Sequence, residues 1–173
     1  MKTKRQEELV HSFLSTLGDA SRPLYQEIIT CLSELGYNPQ KGKENISFKH
    51  DLHNKQIAKM GVKKAKEPSP FFALRFSACN GYPKRFADIV HAIIARYPSR
   101  AARCMDGDCN YCRGEPDTHT YSCAFTDGER RSSCGAYALE IPGITADDIE
   151  AIKSLIKEEH TYLLKHEAGI PAT

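Results

Sequence analysis

Five cysteines fall inside thirty-one residues of this chain, Cys104, Cys109, Cys112, Cys123 and Cys134, with the spacing C-x4-C-x2-C-x10-C-x10-C. No other feature constrains the fold as tightly, because thiols this close in sequence must meet at one point, be cross-linked, or be held apart by a defined register. Cys31 and Cys79 bring the total to seven, an odd number. The charged start Met1–Arg5 is followed by Gln6, Glu7 and Glu8 rather than by an apolar run, so the chain reads as unexported and cytoplasmic. In a reducing compartment clustered thiols are more often ligands or nucleophiles than bridges. A metal centre is the expectation.

Zinc is the favoured ion, since thiolates are soft ligands, zinc binds them tetrahedrally without redox chemistry, and four of them complete a structural site. Cys109-Asn110-Tyr111-Cys112 supplies a knuckle, and Gly114 just beyond it frees the backbone to aim the two sulfurs. A redox C-x2-C normally opens a helix after a strand, whereas this one sits in a loop rich in Gly, Asp and Arg. The remaining ligands follow from the register of a hairpin. His119, Tyr121, Cys123 and Phe125 share one face of its first strand, while Gly135, Tyr137, Leu139 and Ile141 share one face of the return strand Arg131 to Ile141, leaving Cys134 on the other. A two-residue turn at Asp127-Gly128 would oppose these apolar sets; a three-residue loop of Thr126, Asp127 and Gly128 aligns them against the core. The predicted ligands of a structural Zn2+ are therefore Cys104, Cys109, Cys112 and Cys134. Cys123 is a buried core thiol and the reserve ligand, displacing Cys104 first, and His119 is a more distant substitute. Four thiolates close the shell and leave no open position for hydrolytic chemistry.

Elsewhere the hydrophobic period sets the elements. Leu9, Val10, Phe13, Leu14 and Leu17 recur at helical spacing up to Gly18, and Leu24, Ile28, Cys31, Leu32 and Leu35 form a second stripe that begins beside Pro23 and ends at Gly36, which places Cys31 in the core. Ile46-Ser47-Phe48, Gln56 to Val62 and Phe71 to Phe76 read as three strands of a meander. Pro83 opens a helix with Phe86, Ile89, Val90, Ile93, Ile94 and Tyr97 facing inward, closed by Pro98, and His91 stands on its flank as a surface histidine. Thr145 and Asp148 cap a long last helix carrying Ile149, Ile152, Leu155, Ile156, Tyr162 and Leu163. No crossover repeat and no glycine-rich phosphate loop appears. The predicted fold is α+β, with a mainly antiparallel sheet of about five strands, helices packed on one face, and a Cys-rich zinc-binding loop. Residues 1–18 form an N-terminal helix and residues 19–173 a single α+β domain with a zinc-binding insert at 104–134.

Charge excludes more than it suggests. With 24 basic and 22 acidic residues the formal net charge is +2, which does not announce nucleic acid, and no stretch is apolar enough to span a membrane. The basic run Lys55 to Lys66 reads as a strand edge guarded by lysines. Asp106, Asp108, Glu115 and Asp117 read as turn formers. Lys49, His50, Asp51 and His53 make a second polar cluster, mostly turn residues, in which two histidines beside a carboxylate are available to a site.

The succession Asn45-Ile46-Ser47-Phe48, Phe71-Phe72-Ala73-Leu74-Arg75-Phe76, a helix beginning Tyr82-Pro83 and a last hairpin plus helix resembles small uncharacterised bacterial proteins of the YdhG-like kind. The resemblance covers residues 20 to 165 and leaves the cysteine cluster outside the family pattern. It implies a helix-covered sheet in a bacterial, cytoplasmic protein and brings no catalytic residues. The functional expectation is a non-enzymatic, zinc-stabilised binding domain whose exposed sheet face or hairpin meets a small molecule or a protein. A thiol-based redox enzyme or sensor using Cys109 and Cys112 is the first alternative; a zinc-ribbon-like nucleic-acid binder is the second, disfavoured by the near-neutral charge.

Overall fold

The computed structural model describes residues 3–64, 66–75, 83–97, 120–124, 128–134 and 137–167, with the backbone alone at 121–124 and 166–167. Helix α1 (Lys4–Leu14) begins at a reciprocal cap between Thr3 and Gln6 and buries Val10, Phe13 and Leu14. Helix α2 (Arg22–Glu34) carries Pro23 in its first turn, where a missing N–H costs no helical bond, and buries Ile28, Ile29 and Leu32. Cys31 lies in that core as expected, and burial raises its thiol pKa. The helix ends at Gly36, whose φ of +84° turns the chain into the sheet.

Strands β1 (Tyr37–Lys41), β2 (Asn45–His50), β3 (Gln56–Lys63) and β4 (Ser69–Leu74) form an antiparallel meander. Helix α3 (Lys84–Arg96) follows, then a separate hairpin of β5 (Thr120–Ala124) and β6 (Arg130–Cys134). Strand β7 (Leu139–Ile141) returns to the main sheet beside β4, giving the order β1-β2-β3-β4-β7. A 3-10 turn (Ala146–Asp148) leads into α4 (Ile149–Glu167), with the Thr145 and Asp148 side chains capping it as the sequence indicated.

The α+β class and the five-stranded antiparallel sheet match expectation, but two of the strands differ. β1 is additional: Pro39 argues against a strand interior, yet β1 is an edge strand, where a residue lacking an N–H is tolerated. The return strand expected over Arg131 to Ile141 divides. Tyr137 N–H donates to the Cys134 carbonyl at 3.2 Å, Tyr137 is 55% exposed rather than in the core, and Leu139 and Ile141 leave the hairpin to pair with Leu74 and Phe72. Two apolar side chains flanking Glu140 gain more from the main core than from a two-stranded ribbon.

Phe48, Met60, Phe72, Leu74, Leu139 and Ile141 are buried in the core with the apolar sides of α1, α2 and α4. α3 adds Phe86, Val90 and Ile94 to the same core, while Ile89 and Ile93 on its other side line a cleft. It stands beside β6 and β7, and the cleft lies on the opposite face of the sheet. The lysine run also differs from its reading as an edge: β3 is the central strand, and Lys59 and Lys63 occupy its thinly covered face. Among the described residues no helix is long and apolar enough to cross a membrane.

Candidate functional site

The hairpin can be compared with the ligand set at one position. Thr120 lies opposite Cys134, Tyr121 opposite Ser133, Cys123 opposite Arg131 and Ala124 opposite Arg130. Residues 125–129 then separate the strands, the odd count required by a three-residue loop and excluded by a two-residue turn. Gly128 has a φ of +81°, a conformation that costs glycine little. In this register Cys123 and Cys134 stand at backbone positions of opposite parity. Cys134 is 5% exposed and carries a free thiol, and its neighbour Ser133 is fully buried, so both faces of β6 are covered. Cys104, Cys109, Cys112, His119, Cys79 and the acidic groups Asp106, Asp108, Glu115 and Asp117 lie outside the described residues, as does the Cys123 side chain. Among the described residues no three metal-ligating side chains converge.

The second polar cluster forms a closed assembly at the junction of β1, β2 and α4. Tyr37 and His50 are register partners, so their side chains share a face. Gly36 makes room for the imidazole: a Cβ there would stand 2.9 Å from His50 Nε2. The turn after β2, with Asn54 at φ +53°, brings His53 back to stack on His50 at 4.4 Å between ring centroids. Leu52 N–H donates to His50 Nδ1 at 3.3 Å and Lys55 N–H to His53 Nδ1 at 3.1 Å. With Nδ1 accepting, each neutral ring carries its proton on Nε2 and has no nitrogen lone pair left for a metal.

Three side chains that the sequence reading did not single out complete this assembly. Helix α4 sets the His160 ring 5.6 Å from Tyr37 and 5.5 Å from His50, with Nδ1 at 3.3 Å from the Tyr37 hydroxyl. The preceding residue, Glu159, is fully buried and pairs with Arg75 Nε at 2.9 Å. Burial and the nearby Glu159 charge raise the Tyr37 hydroxyl pKa against the opposing pull of Arg75. The same influences push Tyr162 up to about 12. Burial, and then the charge of His50, lower the pKa of His160. Glu159 had a readable signal: it occupies the buried stripe Ile152, Ile156, Glu159, Leu163, where a carboxylate needs a cationic partner. Tyr37 is fully enclosed and His50 is buried, while His53 and His160 are half-buried, so the cluster joins β1, the turn after β2 and α4.

The open face has a different construction. Between α3 and the sheet lies a cleft of about 580 Å³, within the range of small-molecule sites. Phe71, Ala73, Ile89 and Ile93 contribute apolar surface, and Phe71 can lie close to the sheet because its register partner is Gly61, where a Cβ would meet the ring at 2.9 Å. Lys59, Lys63 and Arg96 supply positive charge, of which Lys63 is paired with Glu140. Among the described residues neither Lys59 nor Arg96 has an ion pair, and the Arg96 guanidinium lies 5.3 Å from the ring centroid of Tyr97. The α3 wall is anchored at its start by Arg85, which contacts Asp148 at 3.2 Å and donates to the Pro142 and Gly143 carbonyls at 2.8 and 2.9 Å. No protein-family model, curated protein or solved structure matches this chain.

Proposed function

We propose that this protein is a non-enzymatic binding domain that takes a small anion with an apolar body into the cleft between α3 and the open sheet face. The observation that carries the reading is the combination of two cations without carboxylate partners among the described residues, Lys59 and Arg96, with an apolar floor. An anionic ligand would replace the missing counter-charge while its body covers Phe71 and Ile93. A structural Zn2+ on Cys104, Cys109, Cys112 and Cys134 belongs to the same proposal. Arg85 holds one end of α3, and the ion would tie the chain beyond the other end to the hairpin. The α+β layout is compatible with kinship to YdhG-like bacterial proteins, which we put forward as part of this reading.

The test uses two fluorescent probes of similar size, 1-anilinonaphthalene-8-sulfonate and the uncharged N-phenyl-1-naphthylamine. The sulfonate should bind more tightly, and Lys59→Ala or Arg96→Ala should each weaken it about tenfold, equivalent to about 1.4 kcal/mol, without affecting the neutral probe. Equal binding of the two probes, or indifference to both substitutions, rejects the anion site. For the metal, the expected result is one zinc per chain, with chelation weakening the sulfonate probe as well as the fold. A Cys134→Ser protein that keeps stoichiometric zinc rejects the ligand set, and a metal-free protein with a low-pKa thiol favours redox chemistry at Cys109 and Cys112 instead.

A further inference from the structure

We propose that His50, His53 and His160 form a proton-responsive clasp: on acidification it releases the β2–β3 turn from the C-terminal half of α4 while the sheet stays folded. The clasp joins elements far apart in sequence through one ring, Tyr37, which makes edge contacts with His50 at 5.0 Å, His53 at 6.1 Å and His160 at 5.6 Å. The arrangement uses Nδ1 of His50 and of His53 as acceptors. A proton added to Nδ1 of His50 or His53 would set N–H against the N–H of Leu52 or Lys55, losing the bond that shapes the turn. Two imidazolium rings stacked at 4.4 Å would also repel each other in a poorly hydrated place.

The titratable and charged groups around the clasp come from every element packed on it. β1 contributes Tyr37, whose hydroxyl remains protonated, and the end of β4 contributes Arg75, a further positive charge. α4 contributes Glu159, already engaged by Arg75, and Tyr162. In the turn, Asp51 and Lys55 flank His53 with opposite charges. Burial and the His50 charge hold the His160 pKa below its ordinary 6.5. A histidine depressed in the fold takes up its proton more readily when released, so its stabilising effect is complete above pH 6.5 and declines as pH falls below that value. Tyr37 does not lose its proton to offset it across this interval, because burial raises its hydroxyl pKa.

Amide hydrogen exchange on the full chain, corrected for the intrinsic effect of pH, tests the clasp. Between pH 7.5 and 5.5 the opening of residues 51–55 and 157–163 should rise about tenfold or more, as expected for linkage to at least one proton over more than one pH unit, with β3 and β4 unchanged. His160→Gln, which keeps a hydrogen-bonding side chain without a titratable ring, should flatten the response. If that variant does not fold, His53→Gln, which removes a stacking partner from the more exposed turn, should reduce it. Equal opening at both pH values, loosening of β3 and β4 together with the turn, or an undiminished response in the folded variant overturns the proposal.

Discussion

On the covered face of the sheet a full pair of charges, Arg75 and Glu159, is enclosed with side-chain exposures of 10% and 0%, whereas on the open face Lys59 and Arg96 border a cleft of about 580 Å³ in which the carboxylate of Glu140 is paired with Lys63, and neither Lys59 nor Arg96 has an ion pair among the described residues. The two regions belong to the same sheet and both mix cations with aromatic rings, so composition does not separate them. What differs is completion. At the covered end the charges and most ring nitrogens are engaged from within: Glu159 pairs with Arg75, the Tyr37 hydroxyl meets His160 Nδ1, and turn N–H groups donate to Nδ1 of His50 and of His53. A pair of opposite charges closed on itself rigidifies a junction. Across the sheet, solvent supplies the missing counter-charge and a ligand can replace it.

The comparison breaks first at Glu159. Its replacement by Ala removes the carboxylate that pairs with the buried Arg75 guanidinium, and we expect a loss of about 3–5 kcal/mol in denaturant unfolding. The double variant Glu159→Leu with Arg75→Met should recover most of that loss, because it removes both charges and keeps apolar volume. If the single variant instead costs no more than a surface substitution, the covered region is not sealed and the contrast fails. Gly36→Ala comes next. It forces a side chain into φ +84° and pushes a Cβ against His50 Nε2, so the expected cost is about 2 kcal/mol, with faster exchange at the Leu52 amide as the local signature. An unchanged midpoint would mean that the His50 ring can yield without loss.

Much of the covered face was legible in the sequence, but its polar part was not. The stripes of α1, α2 and α4 and the burial of Cys31 follow from helical spacing, and the hairpin register has the parity of the three-residue loop although Leu139 and Ile141, used to choose it, pair in the other sheet. β1 escaped because Pro39 weakens any strand reading, and only the sheet order reveals that it lies at an edge, where the penalty disappears. The lysines of β3 were visible as a solvated row, yet alternation alone cannot tell an open face from an open edge. Glu159 was the readable anomaly in the stripe of α4. Its partner Arg75 and the meeting of His160 with His50 depend on how α4 crosses the sheet, which no local pattern encodes. The cleft depends on where α3 comes to rest, a tertiary fact of the same kind.

The smallest effect provides the sharpest control. Lys59 contributes no ion pair to the fold among the described residues, and its neighbours across the strands, Ala73 and then Glu140, form a row on the open face. Lys59→Ala should therefore change unfolding free energy by less than about 0.5 kcal/mol, and the same limit should hold for Arg96→Ala apart from the weak attraction of its guanidinium to Tyr97. Residues that a fold does not need, yet whose charges converge over apolar surface, are the ones that binding can use. A loss of 2 kcal/mol or more at Lys59 would place it in the structural framework and make the two faces alike. A neutral result in stability together with tenfold weaker sulfonate binding separates them.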